Sequence, residues 1–230
     1  MVVLLWDIDG TLLQGRQTAV TAWRVAVQAE LATDIDWAAL DTSGSTDLAI
    51  AAQICAQAGR GTEAMAPLLA HYIEELTVQL QDKPAVALPN AREVLAHAAD
   101  NPAYATLFLT GNLRRAAQVK MASCGLGEFF GDGAFGEQGP ERNQVAAAAR
   151  RLVIENWGNS ASLLVIGDTP RDIAAARSIG AYVAAVASGS HSMEALAPHQ
   201  PDDLFPQLPA AADFVAAVEK IIRGGVRSGL

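Results

Sequence analysis

The sequence predicts an α/β protein in which a Rossmann-like core, built on a parallel sheet, carries an inserted α-helical cap domain. Two observations lead to this prediction. Short apolar runs that end at polar or glycine-containing turns alternate with amphipathic helical patterns, and this alternation is typical of parallel sheets with helices on both faces. After the first apolar run comes a long stretch with helical periodicity alone, which indicates an inserted helical domain.

Four short apolar runs are the predicted strands, since each ends at a turn and is apolar on both faces, as in a buried parallel strand. They are Met1–Trp6, Ala105–Leu109, Leu163–Ile166 and Ala181–Val186. Helical patterns follow the second and third of them, at Leu113–Ser123 and Arg171–Ser178. Near the end of the chain, Pro198–Pro209 reads as a loop and Ala210–Ile222 as a closing helix.

Three amphipathic patterns fill the stretch after the first strand, at Gln17–Leu31, Thr46–Ala58 and Thr62–Leu80. Two of them begin at a threonine, a residue that caps helix N-termini well. We therefore expect residues 16–81 to form the cap, and residues 1–15 together with 82–230 to form the core.

The composition excludes several classes of partner. The chain of 230 residues has a formal net charge of −9 and only three lysines, whereas nucleic-acid binding relies on clustered cations. No apolar run approaches the roughly 18 residues of a membrane span. Two isolated cysteines provide neither a disulfide framework nor zinc-site spacing. We expect a soluble cytoplasmic protein without nucleic-acid or membrane partners, and its oligomeric state stays unknown.

Polar residues suited to chemistry stand at three predicted strand ends, as DIDGT (7–11), TGN (110–112) and GDTPRD (167–172). Parallel sheets bind ligands at the carboxyl ends of their strands, so these segments are expected to meet at one edge. Asp7 and Asp9 are two residues apart and point to the same side of an extended chain. Two close carboxylates repel unless a cation or a shared proton lies between them, and Mg²⁺ with a phosphate substrate is the favoured pairing.

On these three segments the sequence resembles the haloacid dehalogenase superfamily of phosphohydrolases, whose first, second and fourth motifs they match in order and placement. The resemblance covers nearly the whole chain, and residues 17–80 correspond to a helical cap that some members insert. The best match is the phosphoglycolate-phosphatase-like branch. The resemblance implies Mg²⁺-dependent hydrolysis of a small phosphate monoester through an aspartyl-phosphate intermediate.

The resemblance also implies a role for each matching acid. Asp7 would be the nucleophile that attacks phosphorus. Asp9 would be the general acid/base, protonating the leaving oxygen and later deprotonating water. Asp7, Asp168 and the backbone carbonyl of Asp9 would hold the Mg²⁺ ion, which offsets the repulsion between a carboxylate and a phosphate.

Phosphate binding is expected from Thr110, Gly111 and Asn112, helped by the amides at the start of the next helix. The third family motif usually supplies a lysine, and this sequence lacks one at that place. Arg142 stands just before a predicted helix and is expected to replace it, with a two-pronged contact to phosphate oxygens. A surface arginine is the alternative interpretation. Lys120, in the middle of a predicted helix, is expected at the surface.

Two further features have more than one interpretation. Asp172 fits a capping residue of the helix that begins after Thr169, and equally a residue that supports the metal ligands from outside; the two roles are compatible. The loop Ser43, Gly44, Ser45 and Thr46 is expected to face the site from the cap and to help choose the substrate. Its alternative is a plain connector in which Thr46 caps a helix.

Within the resemblance, other chemistries are less well supported. Family dehalogenases lack an acid/base Asp at the place of Asp9, and phosphonate cleavage needs a cap lysine that residues 16–81 lack. The same residues contain three arginines against eight acids, a net charge of −5, which disfavours a sugar-phosphate mutase that must hold a second phosphate. A mutase-type phosphotransferase and a non-catalytic phosphate-binding protein remain the alternatives, the latter because of the missing lysine.

Overall fold

The computed structural model describes residues 1–224, and its eight strands include the four predicted ones, each matched to within one residue at either end. They are β1 (Val2–Trp6), β2 (Leu13–Gln14), β3 (Val86–Ala87), β4 (Tyr104–Leu109), β5 (Gly133–Ala134), β6 (Ser162–Gly167), β7 (Tyr182–Val186) and β8 (Asp203–Phe205). Over this range, six of them form one sheet in the order β5-β4-β1-β6-β7-β8, and every neighbouring pair is parallel. The predicted α/β class with a parallel sheet is confirmed.

The α-helices of the described residues include all those predicted, together with two that were not predicted, at Ala91–Asp100 and Met193–Leu196. They are α1 (Arg16–Leu31), α2 (Asp47–Gln57), α3 (Met65–Asp82), α4 (Ala91–Asp100), α5 (Arg114–Ser123), α6 (Arg142–Trp157), α7 (Pro170–Ser178), α8 (Met193–Leu196) and α9 (Ala211–Gly224). The helix predicted from Thr62 begins with a 3₁₀ turn at Thr62–Ala64 before α3. The N-cap prediction for α2 is confirmed, because the Thr46 hydroxyl accepts a hydrogen bond from the Ala49 amide at 3.1 Å.

Two apolar layers cover the sheet because successive strand residues point to opposite faces. In β1, Leu4 and Trp6 join one buried cluster, whereas Val3 and Leu5 join the other. The first cluster continues into α1 and α3, and the second contains residues of α6 and α7. The central strand is therefore buried on both faces, and its carboxyl end, at Asp7, lies at the edge where the site forms.

The helices after β1 form a bundle of their own, in which α1 packs against α3 and the rings of Trp23 and Tyr72 stack at 3.9 Å. The antiparallel pair β2 and β3 brings the entry to this segment beside its exit. The bundle also touches the rest of the chain, since α3 contacts α5. The domain boundaries stay a prediction, and the end of the predicted core, residues 225–230, lies outside the described residues.

One prediction for the end of the chain is wrong. The segment Pro198–Pro209 contains β8, which extends the sheet by pairing with β7. A three-residue strand at a sheet edge is too short to show a period in the sequence, and β5 was missed for the same reason. No helix in the described part of the chain combines the length and apolar character needed to cross a membrane.

Candidate active site

Three carboxylates from two strand ends meet at one point. Asp7 follows β1, Asp168 follows β6, and Asp172 lies in the first turn of α7. Each offers an oxygen within 4.8 Å of the others, and all three side chains are buried. Neighbouring parallel strands β1 and β6 place the first two side by side. The sequence prediction required Asp7 and Asp168 to lie within reach of one ion, and they do.

The electrostatics of this cluster fit a divalent cation. The pKa values of Asp7 and Asp168 are both raised, chiefly because burial disfavours the charged form of a carboxyl group. The negative charges of neighbouring carboxylates are the second cause. Within residues 1–224, Asp168 Oδ1 is buried without a hydrogen-bond partner, and such an atom normally has a ligand of some kind. Mg²⁺ prefers oxygen ligands, so two neighbouring carboxylates with one unsatisfied oxygen suit this ion.

Arg142 is buried in the same cluster. As the first residue of α6, it places Nη2 2.5 Å from Asp7 Oδ1, 2.5 Å from Asp172 Oδ1 and 3.0 Å from the Leu109 carbonyl oxygen. The alternative of a surface arginine is therefore wrong. The guanidinium partly neutralises the two carboxylates, and both Nη2 and Nε donate to Asp172 Oδ1.

Asp172 supports this arrangement through both oxygens. Its Oδ1 accepts from Arg142, while Oδ2 accepts from the amide and the hydroxyl of Thr169 at 3.1 and 2.7 Å. Thr169 in turn accepts from the Asp172 amide, which completes a capping box at the start of α7. The capping prediction is confirmed. A supporting role for the metal ligands stays a prediction, for which the position beside Asp7 and Asp168 is suitable.

Asp9 lies in a separate polar network. Its Oδ2 accepts hydrogen bonds from Lys120 Nζ and from Asn112 Nδ2, both at 2.7 Å, and Lys120 Nζ also donates to Asn112 Oδ1 at 2.6 Å. The prediction that Lys120 is a surface residue is wrong, because its side chain is only 4% exposed. It lies in the buried stripe of α5, one helical turn after Ala116. A lysine at that spacing was the signal in the sequence.

The start of α5 differs from the expected phosphate-binding site. The Leu113 amide donates to Asp47 Oδ2 and the Arg114 amide to Glu137 Oε1, both at 2.7 Å. These two amides already have anionic partners, so the expectation that they bind phosphate is wrong. A helix N-terminus attracts anions, and here protein carboxylates fill that place.

The residues predicted to bind phosphate surround one cavity of about 650 Å³. Thr110, Gly111, Asn112 and Arg142 line it together with the acids. Asn112 faces Asp9 and also donates to Thr110 Oγ1 at 2.9 Å. The cavity thus joins the phosphate-binding candidates to both acidic groups, although their contact with phosphate stays a prediction.

The predicted substrate loop lies against the strand ends. Ser43, Gly44 and Ser45 line the cavity, and the Thr46 hydroxyl donates to the Pro140 carbonyl oxygen at 3.0 Å. Gly44 has φ +65° and approaches Thr169 so closely that a Cβ would lie 2.6 Å from its hydroxyl oxygen. A side chain at this position would therefore clash, and the close approach explains the glycine.

Sequence reasoning missed the loop after β7, which closes over Asp168. Gly189 lines the cavity, and a Cβ there would lie 1.7 Å from Asp168 Oδ2. Next to it, the Ser188 hydroxyl donates to the Gly10 carbonyl oxygen at 2.7 Å. The sequence offered one signal for this loop. A turn of small residues follows the fourth predicted strand, just as the three polar segments follow the first three predicted strands.

Comparisons with known proteins concern the family of this chain and its fold. The family model of haloacid dehalogenase-like hydrolases matches residues 1–180. A hydrolase from Pseudomonas syringae is similar in structure, with a TM-score of 0.70 and 20% identity over 96% of this chain and 99% of that chain. CbbY from Rhodobacter sphaeroides, solved in complex with phosphate, gives a TM-score of 0.72 and 17% identity over 95% of this chain and 100% of its own.

A predicted phosphoglycolate phosphatase from Haemophilus somnus gives a TM-score of 0.69 and 19% identity over 94% of this chain and 97% of its own. No curated protein matches the chain. At these identities the solved structures establish a shared fold.

Proposed function

This chain belongs to the haloacid dehalogenase-like hydrolases, and we propose that it is a Mg²⁺-dependent phosphatase that hydrolyses a small phosphate monoester with Asp7 as the nucleophile. The observation that carries the proposal is the buried cluster of Asp7, Asp168 and Arg142 on the wall of one cavity. It supplies a carboxylate nucleophile, an unsatisfied metal-binding oxygen and a fixed cation at one place.

Each half-reaction moves one proton through Asp9. In the first, an Asp7 oxygen bonds to phosphorus, the bond to the ester oxygen breaks, and Asp9 gives its proton to that oxygen so that a neutral alcohol leaves. In the second, Asp9 takes a proton from water as the water oxygen bonds to phosphorus. The bond between phosphorus and Asp7 then breaks, which releases inorganic phosphate and restores both side chains.

The other residues hold these groups in place. Asp7 and Asp168, with the backbone carbonyl of Asp9, would hold Mg²⁺, which when bound offsets the repulsion between the carboxylate and the phosphate. Arg142 orients Asp7 through its hydrogen bond to Oδ1. Thr110, Gly111 and Asn112 line the cavity where the phosphoryl group would lie.

The cap and its substrate loop are part of the same proposal. We assign residues 16–81 to the cap and the remainder to the core of a cytoplasmic enzyme. Ser43, Gly44 and Ser45 would contact the alcohol part of the ester, because they line the same cavity as the acids. A volume of about 650 Å³ is in the range of small-molecule sites.

Hydrolysis of p-nitrophenyl phosphate by the purified protein tests the proposal. We expect turnover that requires Mg²⁺, is abolished by EDTA, and falls at least ~1,000-fold in Asp7→Asn. Asp213→Asn, on the exposed face of α9, is the matched control and should keep full activity. Turnover unchanged in Asp7→Asn would refute the nucleophile. Phosphate found on an acceptor alcohol would indicate a mutase, and binding without turnover a non-catalytic protein.

A further inference from the structure

Lys120 is a buried lysine with polar partners at the site. Of the three lysines in the chain, Lys83 and Lys220 are exposed, whereas the Lys120 side chain is 4% exposed. A buried ammonium group is costly unless it is paired and hydrogen-bonded. Lys120 has both kinds of partner, in the Asp9 carboxylate and the Asn112 side-chain oxygen.

The two donors converge on one oxygen of Asp9. Lys120 Nζ and Asn112 Nδ2 each lie 2.7 Å from Oδ2, and they are linked to each other through Asn112 Oδ1. The other oxygen, Oδ1, is buried and has no hydrogen-bond partner among residues 1–224. A carboxyl group that is protonated on one oxygen still accepts hydrogen bonds on the other. Both donors can therefore hold Oδ2 in either charge state.

We infer that Lys120 and Asn112 are positioning residues for proton transfer by Asp9. This inference rests on the proposed function, in which Asp9 exchanges a proton with the leaving oxygen and with water. General acid catalysis depends on geometry first, since the acid must lie within hydrogen-bond reach of the reacting oxygen. Two donors on Oδ2 restrict rotation of the carboxyl group, and the buried side chain of Asn112 is itself held by Thr110.

The dependence of the rate on the leaving group separates this role from a structural one. A 4-nitrophenolate leaves readily without a proton, whereas an alkoxide needs one, so only the second ester requires a well-placed acid. The quantity kcat/KM reports the steps up to phosphorylation of Asp7, and water activation does not enter it. A merely structural role would lower kcat/KM for both esters alike.

The experiment compares benzyl phosphate with 4-nitrophenyl phosphate, with saturating Mg²⁺, in the wild type and in Lys120→Met. We expect kcat/KM to fall at least ~10-fold for benzyl phosphate and less than ~3-fold for 4-nitrophenyl phosphate, a fraction of what a general acid contributes. Lys220→Met makes the same change at an exposed position and should leave both values unchanged. Equal losses for the two esters, or no loss, would overturn the inference.

Asn112→Ala provides a second test that keeps the buried lysine, in case Lys120→Met does not fold. It should also lower kcat/KM selectively for benzyl phosphate. If Asn112 served only to bind the phosphoryl group, kcat/KM would fall equally for the two esters, and the inference would fail. Failure of the proposed function looks different: the wild type would hydrolyse neither ester, or Asp7→Asn would hydrolyse both.

Discussion

Arg142 Nη2 lies 2.5 Å from Asp7 Oδ1, although 135 residues separate the two in the sequence. The same nitrogen contacts Asp172 Oδ1, so that one buried guanidinium joins two carboxylates. Because this contact connects the proposed nucleophile to the start of α6, it determines how Asp7 is oriented. The sequence prediction gave Arg142 the place of the lysine that the third family motif usually supplies, and its contact with phosphate stays a prediction.

Loss of Arg142 should destabilise the fold as well as the site. Arg142→Met leaves two buried carboxylates without their cation, and we expect it to lower the free energy of unfolding by about 3–5 kcal/mol. Arg142→Lys should cost less, because it keeps the charge but cannot reach all of the acceptors. Urea denaturation at fixed Mg²⁺ measures both, with the exposed Arg151→Met on the same helix as the control. Equal effects of Met and Lys would contradict the observed ion pairing.

Asp168 should determine the affinity for Mg²⁺. Asp168→Asn removes one charge from the proposed ligand set and should raise the Mg²⁺ concentration needed for half-maximal activity by roughly 10- to 100-fold or more. Titration of phosphatase activity with Mg²⁺ in the wild type, in Asp168→Asn and in Asp213→Asn measures this change. An unaltered Mg²⁺ dependence in Asp168→Asn would remove that residue from the ligand set.

Asp47 should make stability depend on pH. Burial raises its pKa to about 6, against the charge of Lys120 and the hydrogen bond from the Leu113 amide. The folded protein then keeps a proton that the unfolded chain, with a pKa near 3.8, releases. The contribution of this group is complete below about pH 4 and is lost as the pH rises to about 6 and above.

The comparison with Asp47→Asn isolates this effect, because the amide can still accept from Leu113 and does not titrate. Between pH 4 and 7 the wild type should lose about 2 kcal/mol of unfolding free energy relative to the variant. Urea denaturation of both proteins across that range gives the difference. A constant difference would show that Asp47 is ionised when folded.

Gly111 allows the proposed substrate loop, residues 43–46, to approach the strand ends. A Cβ at this position would lie 2.3 Å from the Ser45 carbonyl oxygen, and the clash is with backbone, which cannot rotate away. Gly111→Ala should therefore lower the free energy of unfolding by about 1–3 kcal/mol and raise KM as the loop shifts. Gly224→Ala, where a Cβ would meet nothing within 4 Å, is the control. A normal Tm and KM in Gly111→Ala would show that the loop does not need this contact.

The sequence predicted the parts of the site that depend on strand ends. Parallel pairing of β1, β4 and β6 requires Asp7, Thr110 and Asp168 to meet at one edge, so their proximity followed from the topology. Arg142 could be proposed as a site residue because its place in the order of the family motifs was known. Its exact partners could not be foreseen, since they depend on how α6 packs.

The errors concern side chains whose environment depends on tertiary packing. Lys120 was assigned to the surface because lysines usually lie there, yet the face of α5 that carries it points inward. Asp47 was missed as a partner of the start of α5 because Asp47 and Leu113 lie on separate segments of the chain. The contact between Asp47 and Leu113 leaves no period or motif in the sequence, whereas the spacing of the buried stripe of α5 was the one available signal for Lys120.

The location of the phosphoryl group during turnover tests the central claim most directly. The protein is mixed with substrate and Mg²⁺, quenched in acid during steady-state turnover, digested, and analysed by mass spectrometry. The proposed mechanism predicts an acid-stable phosphoryl group on the peptide that contains Asp7 and none in Asp7→Asn. A phosphoryl group on another residue, or full turnover by Asp7→Asn, would contradict it.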